Sequence, residues 1–171
     1  RLPAGPRAFA TPSGKVEILN PRLAHPLPVW LPTHEEDGEL PLRLMTGASI
    51  WGLNSSFRER DDLVRREGGV RLLLGPAEAA ARGLADGARV IAWNRLGEAT
   101  FLLEVTDRVP PGLAVAEGVP WASQAPGRGT VNALTSQRLT DEGGGSTFYD
   151  NRIDVRPEVG PGKLSRGVPA D

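Results

Sequence analysis

From Leu40 onward, short apolar and β-branched runs are separated by Gly, Pro, Asn or Asp. A break every ten or so positions is the spacing of a compact, mostly β barrel or sandwich. The runs Leu42–Thr46, Val70–Leu74, Ala88–Asn94, Ala99–Thr106, Leu113–Ala116 and Arg152–Val155 read as strands. Asn94-Arg95-Leu96-Gly97 reads as a hairpin turn, with Gly97 expected at positive φ. Pro76–Arg82 reads as a short helix, because Pro stands at its start and Gly83 at its stop. The charged segment Phe57–Glu67 fits a helix with Leu63 and Val64 facing inward, and its charges fit a solvated face. A further short helix is expected from Thr130 as N-cap through Asn132-Ala133-Leu134, which would set the Asn132 side chain and free backbone N–H groups at a helix end. Such ends favour anions and hydrogen-bond acceptors.

The first forty residues have a different texture, with both histidines and many prolines in pieces such as His25-Pro26-Leu27-Pro28 and Leu31-Pro32-Thr33-His34. Proline at that density opposes helix and central strand. The organisation expected is therefore a proline-rich arm over 1–39, a globular domain over 40–157 and a flexible tail over 158–171. A chain of 171 residues is long enough to fold alone as one domain. No internal repeat of fixed period is visible.

Charge and cysteine content narrow the chemistry. Twenty Lys plus Arg against 21 Asp plus Glu leave a net charge of −1, so there is no global basic field for nucleic acid and any anion site is local. With no Cys, disulfides, zinc thiolate sites, iron–sulfur ligation and thiol nucleophiles are excluded. His25 and His34 both lie in the arm, which leaves a metal cluster or a serine triad without parts. Ser13-Gly14-Lys15 and Pro161-Gly162-Lys163-Leu164 lack the spacing of a phosphate loop. No stretch approaches the ~20 apolar residues of a membrane span, so no membrane insertion is expected. The chain begins at Arg1 without a signal-peptide pattern, and the expectation is a fragment whose targeting signal lies elsewhere.

The candidate chemistry sits after the first strand. In Leu42-Arg43-Leu44-Met45-Thr46-Gly47-Ala48-Ser49-Ile50-Trp51-Gly52-Leu53-Asn54-Ser55-Ser56 an apolar run enters a loop of small, hydrogen-bonding residues. Thr46, Ser49, Asn54, Ser55 and Ser56 offer side-chain donors, and Gly47 and Gly52 allow close backbone approach, as a polyanion cradle requires. A polar turn with no ligand fits the same residues. Three more blocks accompany the loop: Thr11-Pro12-Ser13-Gly14-Lys15-Val16-Glu17-Ile18, Gly75–Val90, and Thr130-Val131-Asn132-Ala133-Leu134-Thr135 followed by Gly143–Asp150. In this order they resemble the C-terminal domain of the molybdopterin oxidoreductases, over roughly residues 9 to 156.

The resemblance implies a six-stranded double-psi β-barrel with short helices, of the kind shared by formate dehydrogenase and DMSO reductase C-terminal domains and aspartate decarboxylase. It implies a domain that binds the guanine dinucleotide arm of a molybdenum or tungsten cofactor and has no catalytic activity by itself. The cofactor-binding residues carried over are Thr46, Gly47, Ser49, Trp51, Asn54, Ser55, Asn132, Tyr149 and Asp150. Ala48 departs from the Arg frequent at that place, so neutral donors would carry the site. Trp51 fits a stacking role or a plug of the barrel end. Trp121 falls near the family's substrate funnel and equally suits a buried structural Trp. The implied partners are the remaining domains or catalytic subunit of a parent oxidoreductase, with any iron–sulfur cluster in those domains. The compartment expected is the cytoplasm, or the periplasm where the parent carries an export signal. Two alternatives stand beside this reading: a decarboxylase that self-processes at Gly145-Ser146, and a non-catalytic double-psi interaction module.

Overall fold

The computed structural model describes residues 9–30, 38–127, 129–140, 143–149 and 151–158. The chain divides into two compact units, Arg1–Thr33 and His34–Asp171. In the first, residues 9–30 contain turns and no helix or strand. Local hydrogen bonds such as Gly14 N to Thr11 O and Asn20 N to Pro26 O close those turns. This is the outcome expected where proline removes backbone donors.

In the second unit the elements run β1 (Leu42–Gly47), α1 (Asp61–Glu67), β2 (Arg71–Leu74), α2 (Pro76–Ala81), β3 (Arg89–Asn94), β4 (Gly97–Val105), β5 (Leu113–Glu117) and β6 (Asn151–Pro157). Single 3₁₀ turns at Ala122–Gln124 and Val131–Leu134 lie between β5 and β6. The strands close into a barrel in the order β1-β5-β2-β4-β3-β6. β1 runs parallel to β5 and β2 parallel to β4, and the other neighbours are antiparallel. These two interleaved parallel pairs form the double-psi barrel that the resemblance implied. Every strand expected from the sequence is present, with ends that differ by a residue or two.

Alternation along the strands explains the closure. Leu42 and Leu44 of β1, Val90 and Ala92 of β3, Ala114 and Ala116 of β5 and Ile153 and Val155 of β6 are buried. Phe101, at 1% exposure, is the bulkiest fully buried side chain among them. Each buried Leu, Val, Ile or Phe stabilises the fold by roughly 1.5–3 kcal/mol, and each buried Ala by less. Because side chains fill a barrel of this size, ligand sites can form only at its ends.

The helices follow their sequence signals. Pro76 opens α2, and Gly83 at φ +62° turns the chain out of it. Arg82 then bridges Glu78 at 2.7 Å and Asp154 of β6 at 2.6 Å, fixing α2 to the barrel. α1 ends at Gly68 in the left-handed region and buries no residue fully. Leu63 and Val64 are half-buried, so the helix and the solvated face coexist.

Two local expectations are corrected. Gly97 is not at positive φ; the turn is set by Asn94, whose Oδ1 accepts from the backbone N–H of Leu96 at 2.9 Å and of Gly97 at 3.3 Å. Glycine is needed there for close approach, since a Cβ on Gly97 would lie 2.9 Å from the Ala133 carbonyl oxygen. The segment after Thr130 is one 3₁₀ turn in which the Thr130 side chain makes no cap, and so short a turn has no appreciable dipole for an anion. Gly97→Ala is expected to push Val131–Leu134 away from the hairpin and to destabilise the fold by ~1–3 kcal/mol. Chemical denaturation checks this, and an unchanged midpoint would contradict the close-approach account.

Candidate functional site

β1 delivers Thr46 and Gly47 to one end of the barrel, where Gly118, just past β5, donates its N–H to the Gly47 carbonyl at 2.9 Å. The chain then leaves the sheet. The Trp51 N–H donates to Ser49 Oγ at 3.1 Å. The Ser56 N–H donates to the Leu53 carbonyl at 2.9 Å, closing a turn in which Asn54 has φ +52°. Asn tolerates that conformation better than most residues.

A cavity of about 380 Å³ opens beside this loop, lined by Thr46, Gly47, Ala48, Asn54, Val119, Val131, Asn132, Thr135, Phe148 and Tyr149. None of these residues is charged. The structure therefore gathers five of the nine residues expected from the sequence: Thr46, Gly47, Asn54, Asn132 and Tyr149. Asn132 is exposed and caps nothing among the described residues. The Phe148 and Tyr149 rings, which also line it, sit 4.4 Å apart, inclined by 56°.

Three of the other four lie elsewhere. Ser49 and Trp51 face a second cavity of about 320 Å³ that also contains Arg66, Arg71, Arg108, Glu67, Glu104 and Glu117. Trp51 is half-buried there, with the Arg66 guanidinium 5.8 Å from its ring centre. Ser55 lines neither cavity; its carbonyl accepts from Trp121 Nε1 at 2.9 Å. Trp121 is 43% exposed, so it is a tether for the loop and not a buried structural Trp. Asp150 lies outside the described residues.

Sequence reasoning missed what holds the walls. Asn151, fully buried, accepts from the Ser136 N–H through Oδ1 at 2.7 Å and donates from Nδ2 to the Phe148 carbonyl at 2.9 Å. Asn94 donates from Nδ2 to the Leu134 carbonyl at 2.9 Å and to the Arg152 carbonyl at 3.2 Å. Under the loop, Arg58 is 3% exposed and paired with Glu67 through its two terminal guanidinium nitrogens. Its backbone carbonyl accepts from Gln124 Nε2 at 2.8 Å. Arg58 had only one signal in the sequence, a cation nine positions before Glu67, lost within a charged run.

Burial acts to raise the pKa of the Glu67 carboxyl. Hydrogen bonds from Arg58 and Ser49 and the charges of Arg58 and Arg71 outweigh that effect and hold it below the usual carboxylate range.

A family model described as the molydopterin dinucleotide binding domain matches residues 42–152. The probable oxidoreductase YoaE of Bacillus subtilis (strain 168) is 34% identical over 156 residues, 90% of this chain and 23% of that protein. Dimethyl sulfoxide reductase DmsA of Escherichia coli (strain K12) is 29% identical over 170 residues, 86% of this chain and 21% of that protein. Acetylene hydratase from Pelobacter acetylenicus shares the fold, with a TM-score of 0.72 and 22% identity over 89% of this chain and 25% of its own. The chain thus spans about a quarter, or less, of the length of each.

Because Glu67 titrates lower in the folded chain than in the unfolded one, its stabilising contribution is complete above the ordinary glutamate range and is lost as pH falls through the depressed value. Glu67→Gln is expected to lower stability at neutral pH and to make the loss on acidification shallower. Part of the slope will remain, because the Glu78 pKa is also lowered, by the Gly112 N–H and Arg82. Thermal unfolding at a series of pH values checks this, and an unaltered slope would contradict the pairing.

Proposed function

The chain belongs to the molydopterin dinucleotide binding domain family, and we propose that its uncharged cavity holds the guanine dinucleotide arm of a molybdopterin cofactor. The donor set fits such a group. Thr46 offers a hydroxyl, Asn54 and Asn132 offer amides, and Gly47 brings backbone to the surface without a side chain. Among the described residues, no carboxylate lines it to repel a pyrophosphate. Hydrogen bonds from neutral donors to a charged acceptor contribute about 1.5–3 kcal/mol each, so several can replace the cation missing at Ala48. The Asn132 amide can both donate to and accept from a purine or pterin edge, and the Phe148 and Tyr149 rings add an aromatic face. The second cavity sets three carboxylates against its three guanidiniums, and with Glu67 and Glu104 already paired to arginines it is the poorer host for a polyanion. That contrast is the observation that carries the choice of site.

Such a cofactor supplies two-electron chemistry at molybdenum or tungsten. This chain contributes binding and orientation, and by itself it catalyses nothing. In this reading the partners are the other domains of a parent oxidoreductase in the formate dehydrogenase, nitrate, polysulfide and sulfoxide reductase group. Those domains carry any iron–sulfur cluster, and the compartment is the cytoplasm unless the parent is exported. A second reading, a non-catalytic interaction module, draws on Ile50, Leu53 and Phe57, which are 86%, 66% and 50% exposed on the same loop.

Calorimetric titration of the chain with GDP separates the two. Saturable binding is expected, weakened about tenfold or more by Asn132→Ala and unaffected by Arg108→Ala in the second cavity. No binding, or equal loss in both variants, would favour the interaction module or the other cavity.

A further inference from the structure

We propose that Arg58 is a positioning residue: its buried guanidinium holds the loop from Ser49 to Phe57 in the one shape that turns Asn54 toward Asn132. This rests on the cofactor reading above and deepens it by naming what fixes one wall of the cavity. Arg58 is 3% exposed, although Phe57 before it and Glu59 after it are exposed. Its head is clamped by Glu67 at the end of α1. The same head fills the space beneath two glycines. A Cβ on Gly52 would lie 3.3 Å from Arg58 Nη2, and one on Gly118 would lie 2.8 Å from it. The Arg58 carbonyl is held in turn by Gln124. One residue therefore ties the loop to α1, to the end of β5 and to the turn at Ala122–Gln124.

This arrangement is poor as a device for stability. A buried ion pair gives little net stability compared with apolar residues of similar size. Here Arg58 Nε and Gln124 Oε1 are also buried without a partner among the described residues. Phe57 sits at φ +66°, an outlier for a bulky residue that persists only where its surroundings over-determine it. Strain and unpaired polar atoms together point to a loop held in a particular conformation at the expense of stability.

The test separates shape from stability. Arg58→Met strands the Glu67 carboxylate and is expected to lower the thermal midpoint. Arg58→Met with Glu67→Met removes the stranded charge and is expected to recover the midpoint. Hydrogen exchange in the absence of ligand then reads the bonded amides of Trp51, Ser56 and Arg60. They are expected to exchange about tenfold faster in the double variant than in the unaltered chain, while barrel amides stay unchanged, and GDP affinity is expected to fall about tenfold. Arg58→Lys keeps a charge and loses the two-pronged fork, so it serves as the milder variant and is expected to show the same faster exchange. Loop exchange that is unchanged, or that rises only in step with the barrel, would overturn the proposal. Faster loop exchange in a chain that never binds GDP would uphold the positioning role and refute the cofactor reading.

Discussion

Two buried asparagine side chains hold the end of the barrel on which the site is built. The interior is packed by Leu42, Leu44, Val90, Phe101 and Ile153, and Val131 and Leu134 join that core from a segment that returns across the open end, but apolar packing cannot satisfy the polar backbone of such segments. Asn94 and Asn151 can, because each carries an amide that both donates and accepts. Asn94, 6% exposed, joins its own hairpin turn to Leu134 and to the Arg152 carbonyl on β6. Asn151, opposite Leu44 in the sheet, joins Ser136 to Phe148. Leaving any of these buried groups unpaired would cost about 1–3 kcal/mol, so the segments bearing Asn132, Thr135 and Tyr149 are held in place.

The facing wall is built differently. No residue of the loop from Ala48 to Arg60 joins the hydrophobic core, and Ile50, Leu53 and Phe57 are exposed. The loop hangs on polar contacts, Arg58 to Glu67 beneath and Trp121 to the Ser55 carbonyl at the side. The result is a pair of cavities that both touch Ala48 and differ in charge. In one, Glu104 bridges Arg71 and Arg108, with contacts of 2.9 and 2.5 Å. Among the described residues the other is lined by no charged side chain, and Thr46, Asn54 and Asn132 offer it hydrogen-bonding groups.

How much of this was legible in the residues follows from the range of the forces involved. Strands and the helix Pro76–Ala81 were readable because apolar runs and Gly or Pro punctuation act locally. The order β1-β5-β2-β4-β3-β6 was not, since periodicity carries no information about which strands pair; the resemblance supplied only the double-psi barrel as a class. Thr46, Gly47, Asn54, Asn132 and Tyr149 were assigned one site and do meet. Ser49 and Trp51 were assigned with them but turn the other way, because the loop reverses around a cation whose burial cannot be seen in a charged run. Gly97 was read as a matter of φ when the constraint came from Ala133, distant in sequence.

The central claim is that the uncharged cavity, and not the charged one beside it, takes the nucleotide arm of the cofactor. Backbone amide shifts recorded by NMR during titration of the chain with GDP test it most directly. The account predicts saturable shifts at Thr46, Gly47, Asn54, Asn132, Thr135 and Tyr149, with Arg66, Arg71 and Glu117 unmoved. Shifts concentrated at Trp51, Arg66, Arg71 and Glu117, or none that saturate, would contradict it.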